Sequence, residues 1–162
     1  MGGLTARQLA NSVAERPAPL TVLLTATERA LASQVEEGLR TAGYSDLRAA
    51  HAQVFVALHP DGSRLTDLAI HAGMTKQAMG ELVRYLEHRR YLQIEPDPRD
   101  RRAKIIRLTG PGWRAHEVCL ALAEAGERQL VERLGEGGVR ELRNQLRRIV
   151  EGAGGRQTFR MP

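Results

Sequence analysis

Residues Arg64 to Pro111 read RLTDLAIHAGMTKQAMGELVRYLEHRRYLQIEPDPRDRRAKIIRLTGP. Three patterns follow one another in that stretch. Leu65, Leu68 and Ala69 form a short apolar-periodic run ending at Gly73, where a positive φ is cheap. Thr75 is placed to cap a second run, in which Met79, Leu82, Val83 and Leu86 recur at helical spacing. Tyr91 to Glu95 and Lys104 to Leu108 then predict two short strands, joined by the basic loop Pro96 to Arg102. Helix, tight turn, helix and β-hairpin in that order predict a winged helix-turn-helix.

Charge and reach give this arrangement a function. A helix with a polar N-terminal face can enter the major groove of duplex DNA and offer its first turns to base edges. Thr75, Lys76 and Gln77 occupy that first turn, and Gly80 and Arg84 continue the same outer side. Thr66, at the start of the preceding helix, is expected to cap it and to be able to meet a phosphate. The hairpin brings Arg99, Arg101, Arg102 and Lys104 against one acid, Asp100. An arginine on such a tip suits a narrow, electronegative minor groove. From Arg64 to Arg107 there are ten Lys/Arg against six Asp/Glu, so this stretch carries four of the five net positive charges.

The hairpin residues resemble the wing signature of the MarR family of bacterial transcription regulators, Asp-x-Arg-x-x-x-Leu-x-Leu-Thr. Here Asp100, Arg102, Ile106, Leu108 and Thr109 stand at those positions, with Ile in place of the first Leu. The resemblance implies an obligate homodimer in which Asp100 steadies the wing and Arg101 or Arg102 enters the minor groove. It further implies a small-molecule effector lodged between dimer core and winged modules; a two-fold dimer in turn calls for a near-palindromic operator, and repression is the expected role. Tyr44 and His51 are the polar residues expected to border such a pocket.

Composition agrees. A chain of 162 residues with net charge +5, carried by 22 Arg and two Lys, can bury a core and favours a polyanionic partner. No apolar run approaches the roughly 18 residues of a membrane span. There is no signal-peptide pattern, and a single cysteine makes no internal disulfide, which suits a reducing cytoplasm. Cytoplasmic location and no membrane partner are therefore expected.

Outward from the module, the reading divides the chain into residues 1–43 (arm and helix contributing to dimerisation), 44–110 (winged helix-turn-helix), 111–151 (C-terminal dimerisation helices) and 152–162 (flexible tail). Leu4, Leu9 and Val13 suggest a short arm ended by Pro17 and Pro19. A first long helix is predicted from Leu20 to Ala42, stopped by Gly43, and a second from Tyr44 to Leu58 with Ser45 as its cap. A third runs from Trp113 to about Leu134, before Gly135, Gly137 and Gly138 break the chain. Val139, Leu142, Leu146 and Ile149 then step by three, four and three, the rhythm of a helix-on-helix seam. Arg140, Arg143, Arg147 and Arg148 are read as its solvated side. The expected fold is mainly α with a small β-hairpin wing, its N- and C-terminal helices forming a dimerisation region.

Enzymatic readings fare poorly. Phosphate loops, Gly-x-Ser-x-Gly and paired-carboxylate motifs are absent, and the histidines at 51, 59, 71, 88 and 116 have no metal-ligand spacing. No enzyme, cofactor or metal site is expected. Cys119, with His116 three residues earlier, offers the alternative of a redox-responsive regulator; a buried, inert thiol is the preferred reading. A winged-helix module that binds protein or RNA is the other alternative. Glu81 and Glu87 are read as structural, Glu87 through Arg84, Arg90 or the wing, although Glu81 could instead accept from cytosine N4.

Overall fold

A computed structural model describes residues 17–98 and 100–152, without the side chain of Arg101. The expectations for the N-terminal arm, the tail and Arg99 lie outside the described residues. In order the elements are α1 (Leu20–Thr41), α2 (Ala49–Ala57), α3 (Leu65–His71), α4 (Lys76–His88), β1 (Leu92–Asp97), β2 (Asp100–Leu108) and α5 (Gly110–Gly152). The predicted fold class, helical with a two-stranded antiparallel wing, is what the chain adopts.

The chain divides into two compact units inside α1, between Ala32 and Ser33. In the first, Leu20, Val22, Leu23 and Leu24 are exposed apolar residues. The second holds the core, built from Leu39, Leu47, Val54, Phe55, Leu58, Leu68, Met79, Leu86 and Leu92. None of the described helices is long and apolar enough to cross a membrane.

Helix α1 ends as its sequence predicts. Gly43 has φ 88°, and the Tyr44 and Gly43 N–H groups donate to the Leu39 and Arg40 carbonyls, a Schellman closure. That closure corrects the expected start of the second helix. Tyr44 is committed to ending α1, so Tyr44 to Leu47 form a turn and α2 begins only at Ala49, with Ser45 outside it. Its N-terminal donors are met by two side chains: His51 Nδ1, in the helix's own first turn, accepts the Arg48 N–H at 2.9 Å, and Glu36 Oε1, from α1, accepts the Ala49 N–H at 3.3 Å.

The helix-turn-helix closes in the same way, with Gly73 at φ 66° and the Met74 N–H on the Ala69 carbonyl. Thr75 caps α4 as predicted, its Oγ1 accepting the Ala78 N–H at 3.1 Å. Thr66 does not cap α3. Arg64 takes that position without a side-chain cap bond, and Thr66 is an exposed residue of the first turn. Just past the end of α4 stands Arg90, the one non-glycine residue with positive φ (61°) among the described residues.

The wing differs from its prediction in extent. Pro96 and Asp97 belong to β1, and Asp100 to Ala103 belong to β2, so the expected basic loop is mostly strand. The register jumps from Pro96↔Lys104 to Asp97↔Asp100, which leaves Arg101, Arg102 and Ala103 opposite no residue of β1. Such extra residues bulge from a ladder and redirect its side chains. Ser63 adds a bridge on the other edge of β2, exchanging two hydrogen bonds with Ile106. It follows Gly62, whose φ of 92° and 2.9 Å clearance to the Ile106 carbonyl from an added Cβ admit only glycine.

Helix α5 starts earlier than expected, at Gly110, because Thr109 caps it: the Gly112 N–H donates to Thr109 Oγ1 at 3.1 Å. The same hydroxyl donates toward the Arg90 and Tyr91 carbonyls at 2.6 and 3.0 Å, tying the helix to the wing base. Of the three glycines expected to break the chain only Gly135 is non-helical (φ 71°, ψ 161°). Arg143 nonetheless pairs with Glu127, which a straight helix would place about 24 Å away along its axis. The two arms of α5 therefore fold back toward each other around Gly135.

Candidate nucleic-acid interface

Helix α4 buries Met79, Val83 and Leu86, and at 100° per residue the side opposite them carries Gln77, Glu81, Arg84 and His88, all exposed. Lys76 is exposed in the first turn; Thr75 is exposed too, with its hydroxyl engaged in the cap. Arg84 lies back along the helix, Nε donating to the Gly80 carbonyl at 3.2 Å. Gly80 is helical and flanks this face on the α3 side, where an added Cβ would be 3.8 Å from Leu65 Cδ2.

One ion pair sets the wing against the helix-turn-helix. Asp97, 5% exposed, accepts from Nε and Nη2 of Arg64 at 2.9 and 2.7 Å. Arg64 is the residue on which α3 begins, and its Nη2 also lies 3.9 Å from Asp100. Asp100 Oδ1 in turn accepts the Arg102 N–H at 3.1 Å, which fixes the bulged segment from within. Thr66, Lys76, Gln77, Arg84, Arg102 and Lys104 are thus exposed on elements that this pairing and the α3–α4 and α3–β2 contacts hold in one module. Asp97 is the acid the sequence reading overlooked, since a carboxylate in a basic loop gives no sign that it is buried.

Tyr44 and His51 are brought together elsewhere, at the inner end of α4. The His51 ring stacks on Tyr85 at 4.4 Å, and Tyr44 and Phe55 lie 6.2 and 6.0 Å from Tyr91. Tyr85 Oη donates to the Asp46 carbonyl at 2.7 Å, and Tyr91 Oη reaches the Asp46 carboxylate at 3.2 Å. Burial, followed by the nearby Asp46 charge, pushes the Tyr91 hydroxyl up to about 12. Four of the six aromatics of the chain meet here, though they are scattered in sequence.

His51 carries a pH dependence. Burial pushes its pKa below the ordinary 6.5; Asp46 and Glu36 oppose that and Arg48 adds to it. Its Nδ1 must also stay unprotonated to accept the Arg48 N–H. The unfolded chain therefore binds the proton more readily, and the stabilisation is complete above pH 6.5 and lost as pH falls through the lower folded value. Thermal unfolding from pH 7 to 5 is expected to show this decline, and His51→Gln, which retains an acceptor, to flatten it.

Cys119 is buried, and burial pushes its thiol up to about 12, the opposite of an activated cysteine. Neighbouring His116 is engaged with the Phe55 carbonyl at 2.9 Å. Among the described residues no three His, Cys, Asp or Glu side chains form a group that could hold a metal. Glu87 makes no ion pair among the described residues, so its expected pairing with Arg84, Arg90 or the wing is not formed.

The sequence model of the MarR family matches residues 45–103, which span α2 to the wing. A comparison with curated protein sequences returns no match. Among solved structures, CouR from Rhodococcus jostii RHA1 bound to p-coumaroyl-CoA is 25% identical, with a TM-score of 0.70 over 82% of this chain and 92% of that one. A MarR crystal structure is 26% identical, with a TM-score of 0.64 over 86% and 93%. The S. aureus MepR–DNA complex, at 20% identity, shares the fold with a TM-score of 0.72 over 84% and 99%. Helix-turn-helix, wing and flanking helices together with these likenesses show that the chain has the winged-helix fold of these structures and that its residues 45–103 are those of a MarR-family module.

Proposed function

We propose that the chain is a repressor that binds a near-palindromic operator as a homodimer and is released by a small-molecule effector. The observation that carries the reading is the Arg64–Asp97 pair, which couples the basic wing to the helix-turn-helix. With the two held together, α4 lies in a major groove while the wing follows the adjacent minor groove. Lys76, Gln77 and Arg84 then face bases and phosphates, with Gly80 allowing close approach and Thr66 and Thr75 at the helix N-termini. Arg99, Arg101, Arg102 and Lys104 supply the wing's charge, and Asp100 acts by organising it. Two copies related by a dyad present their recognition helices roughly 34–36 Å apart. The MepR structure with DNA and the CouR structure with p-coumaroyl-CoA show a relative on each kind of partner.

The effector acts only by favouring a helix spacing that mismatches the operator. The packed cluster around Tyr44, His51 and Tyr85 supports a route by which an effector could act on α4, since it joins α2 directly to the recognition helix. A cytoplasmic location accords with the single buried thiol.

Selection of duplexes from a random pool, followed by footprinting and a salt titration, tests this reading. Arg102→Ala is expected to weaken operator binding and to reduce the salt slope by about one. An unchanged slope would mean that Arg102 meets no phosphate.

A further inference from the structure

We infer that Glu81 reads sequence, accepting a hydrogen bond from the N4 amino group of a cytosine in the major groove. The inference rests on the DNA-binding reading above and adds a specificity-determining residue to it. Glu81 lies on the side of α4 opposite the buried Met79, Val83 and Leu86, between Gln77 one turn before and Arg84 one turn after. A structural role for the carboxylate requires a partner. The cation nearest in sequence along the helix, Arg84, has its Nε on the Gly80 carbonyl instead. Among the described residues Glu81 makes no ion pair and no side-chain hydrogen bond. Helix propensity does not select it either, because Lys, Gln and Arg serve an exposed helical position equally well.

An unpaired carboxylate at the centre of a DNA-facing surface repels the phosphates on both sides of the groove. It is tolerated there if the groove offers it a donor. The major-groove edge has two, cytosine N4 and adenine N6. Beside the adenine amino group lies N7, an acceptor that opposes the second carboxylate oxygen, whereas cytosine has C5–H in the neighbouring position. Cytosine is therefore the base that fits.

The test is duplex selection from a random pool with the wild-type chain, E81A and E81Q, combined with affinities for non-operator DNA and thermal unfolding. The wild-type chain should select C·G at one position of each half-site. E81A should lose about tenfold or more of that discrimination while binding non-operator DNA more tightly, with its melting temperature and other positions unchanged. E81Q should shift the preference toward adenine, which a glutamine can meet with both a donor and an acceptor. Identical selected sites for wild type and E81A, or a fall in affinity for all duplexes together with lost stability, would overturn the inference. A wild-type chain that selects no site would instead overturn the DNA-binding reading itself.

Discussion

Gly112→Ala is expected to cost the protein about 3 kcal/mol or more, at the upper end of what overpacking a core does. A Cβ on residue 112 would lie 2.0 Å from the Tyr91 carbonyl oxygen and 3.0 Å from its carbon. Those are backbone atoms and cannot rotate away. The same carbonyl receives the Thr109 N–H and hydroxyl, so moving it also loosens the cap of α5 and the start of the wing. Gly126→Ala is the control. Nothing lies within 4 Å of its added Cβ, and the position is helical, so about 0.5–1 kcal/mol of stabilisation is expected there. Chemical denaturation of both variants checks the pair. Equal midpoints would show that the base of the wing is free to shift.

The second large effect concerns assembly. Leu142, Leu146 and Ile149 are 41%, 37% and 57% exposed on the second arm of α5, while Val139, at the start of the same stripe, is buried. An apolar row that continues from a buried residue into solvent marks a surface awaiting a partner. A second copy of the chain is the partner the proposed function requires. In a monomer, charged substitutions at such exposed positions would stay within about ±0.5 kcal/mol. Leu146→Glu combined with Ile149→Glu is therefore expected to leave the module folded and to separate the dimer. Operator affinity should fall by on the order of 100-fold or more, since the second half-site is no longer reached intramolecularly. Sedimentation and operator titration measure the two effects together. A double variant that stays dimeric would place the interface elsewhere, for example on the exposed Leu20, Val22, Leu23 and Leu24 of α1.

The sequence announced features that depend on local chemistry. Thr75 and Gly73 marked the turn between α3 and α4 because capping and positive φ are properties of single residues. The wing strands were recognised but drawn too short, since Pro96 can pair across from Lys104 while its missing N–H makes it look like a loop. The start of α2 was misplaced because the competing use of Tyr44, in closing α1, is a hydrogen bond to the preceding helix. Thr109 looked like part of a signature, and its role as the cap joining α5 to the wing appears only in three dimensions. The Arg64–Asp97 pair spans 33 residues, and no periodicity connects its ends.

The same division holds for the candidate interface. Gln77 and Arg84 were legible from the apolar stripe that faces away from them, but the unpartnered state of Glu81 was not. A single sequence shows that an acid is present and cannot show whether a cation has turned toward it.

The central claim is that a dyad pair of wing-coupled recognition helices reads duplex DNA. Footprinting the purified chain on a selected duplex, with the protein-to-duplex ratio measured on the same sample, tests it most directly. The account predicts two protected half-sites related by a dyad, roughly 34–36 Å between centres, with two chains per duplex. A monomeric chain that protects no duplex even at low ionic strength would contradict it.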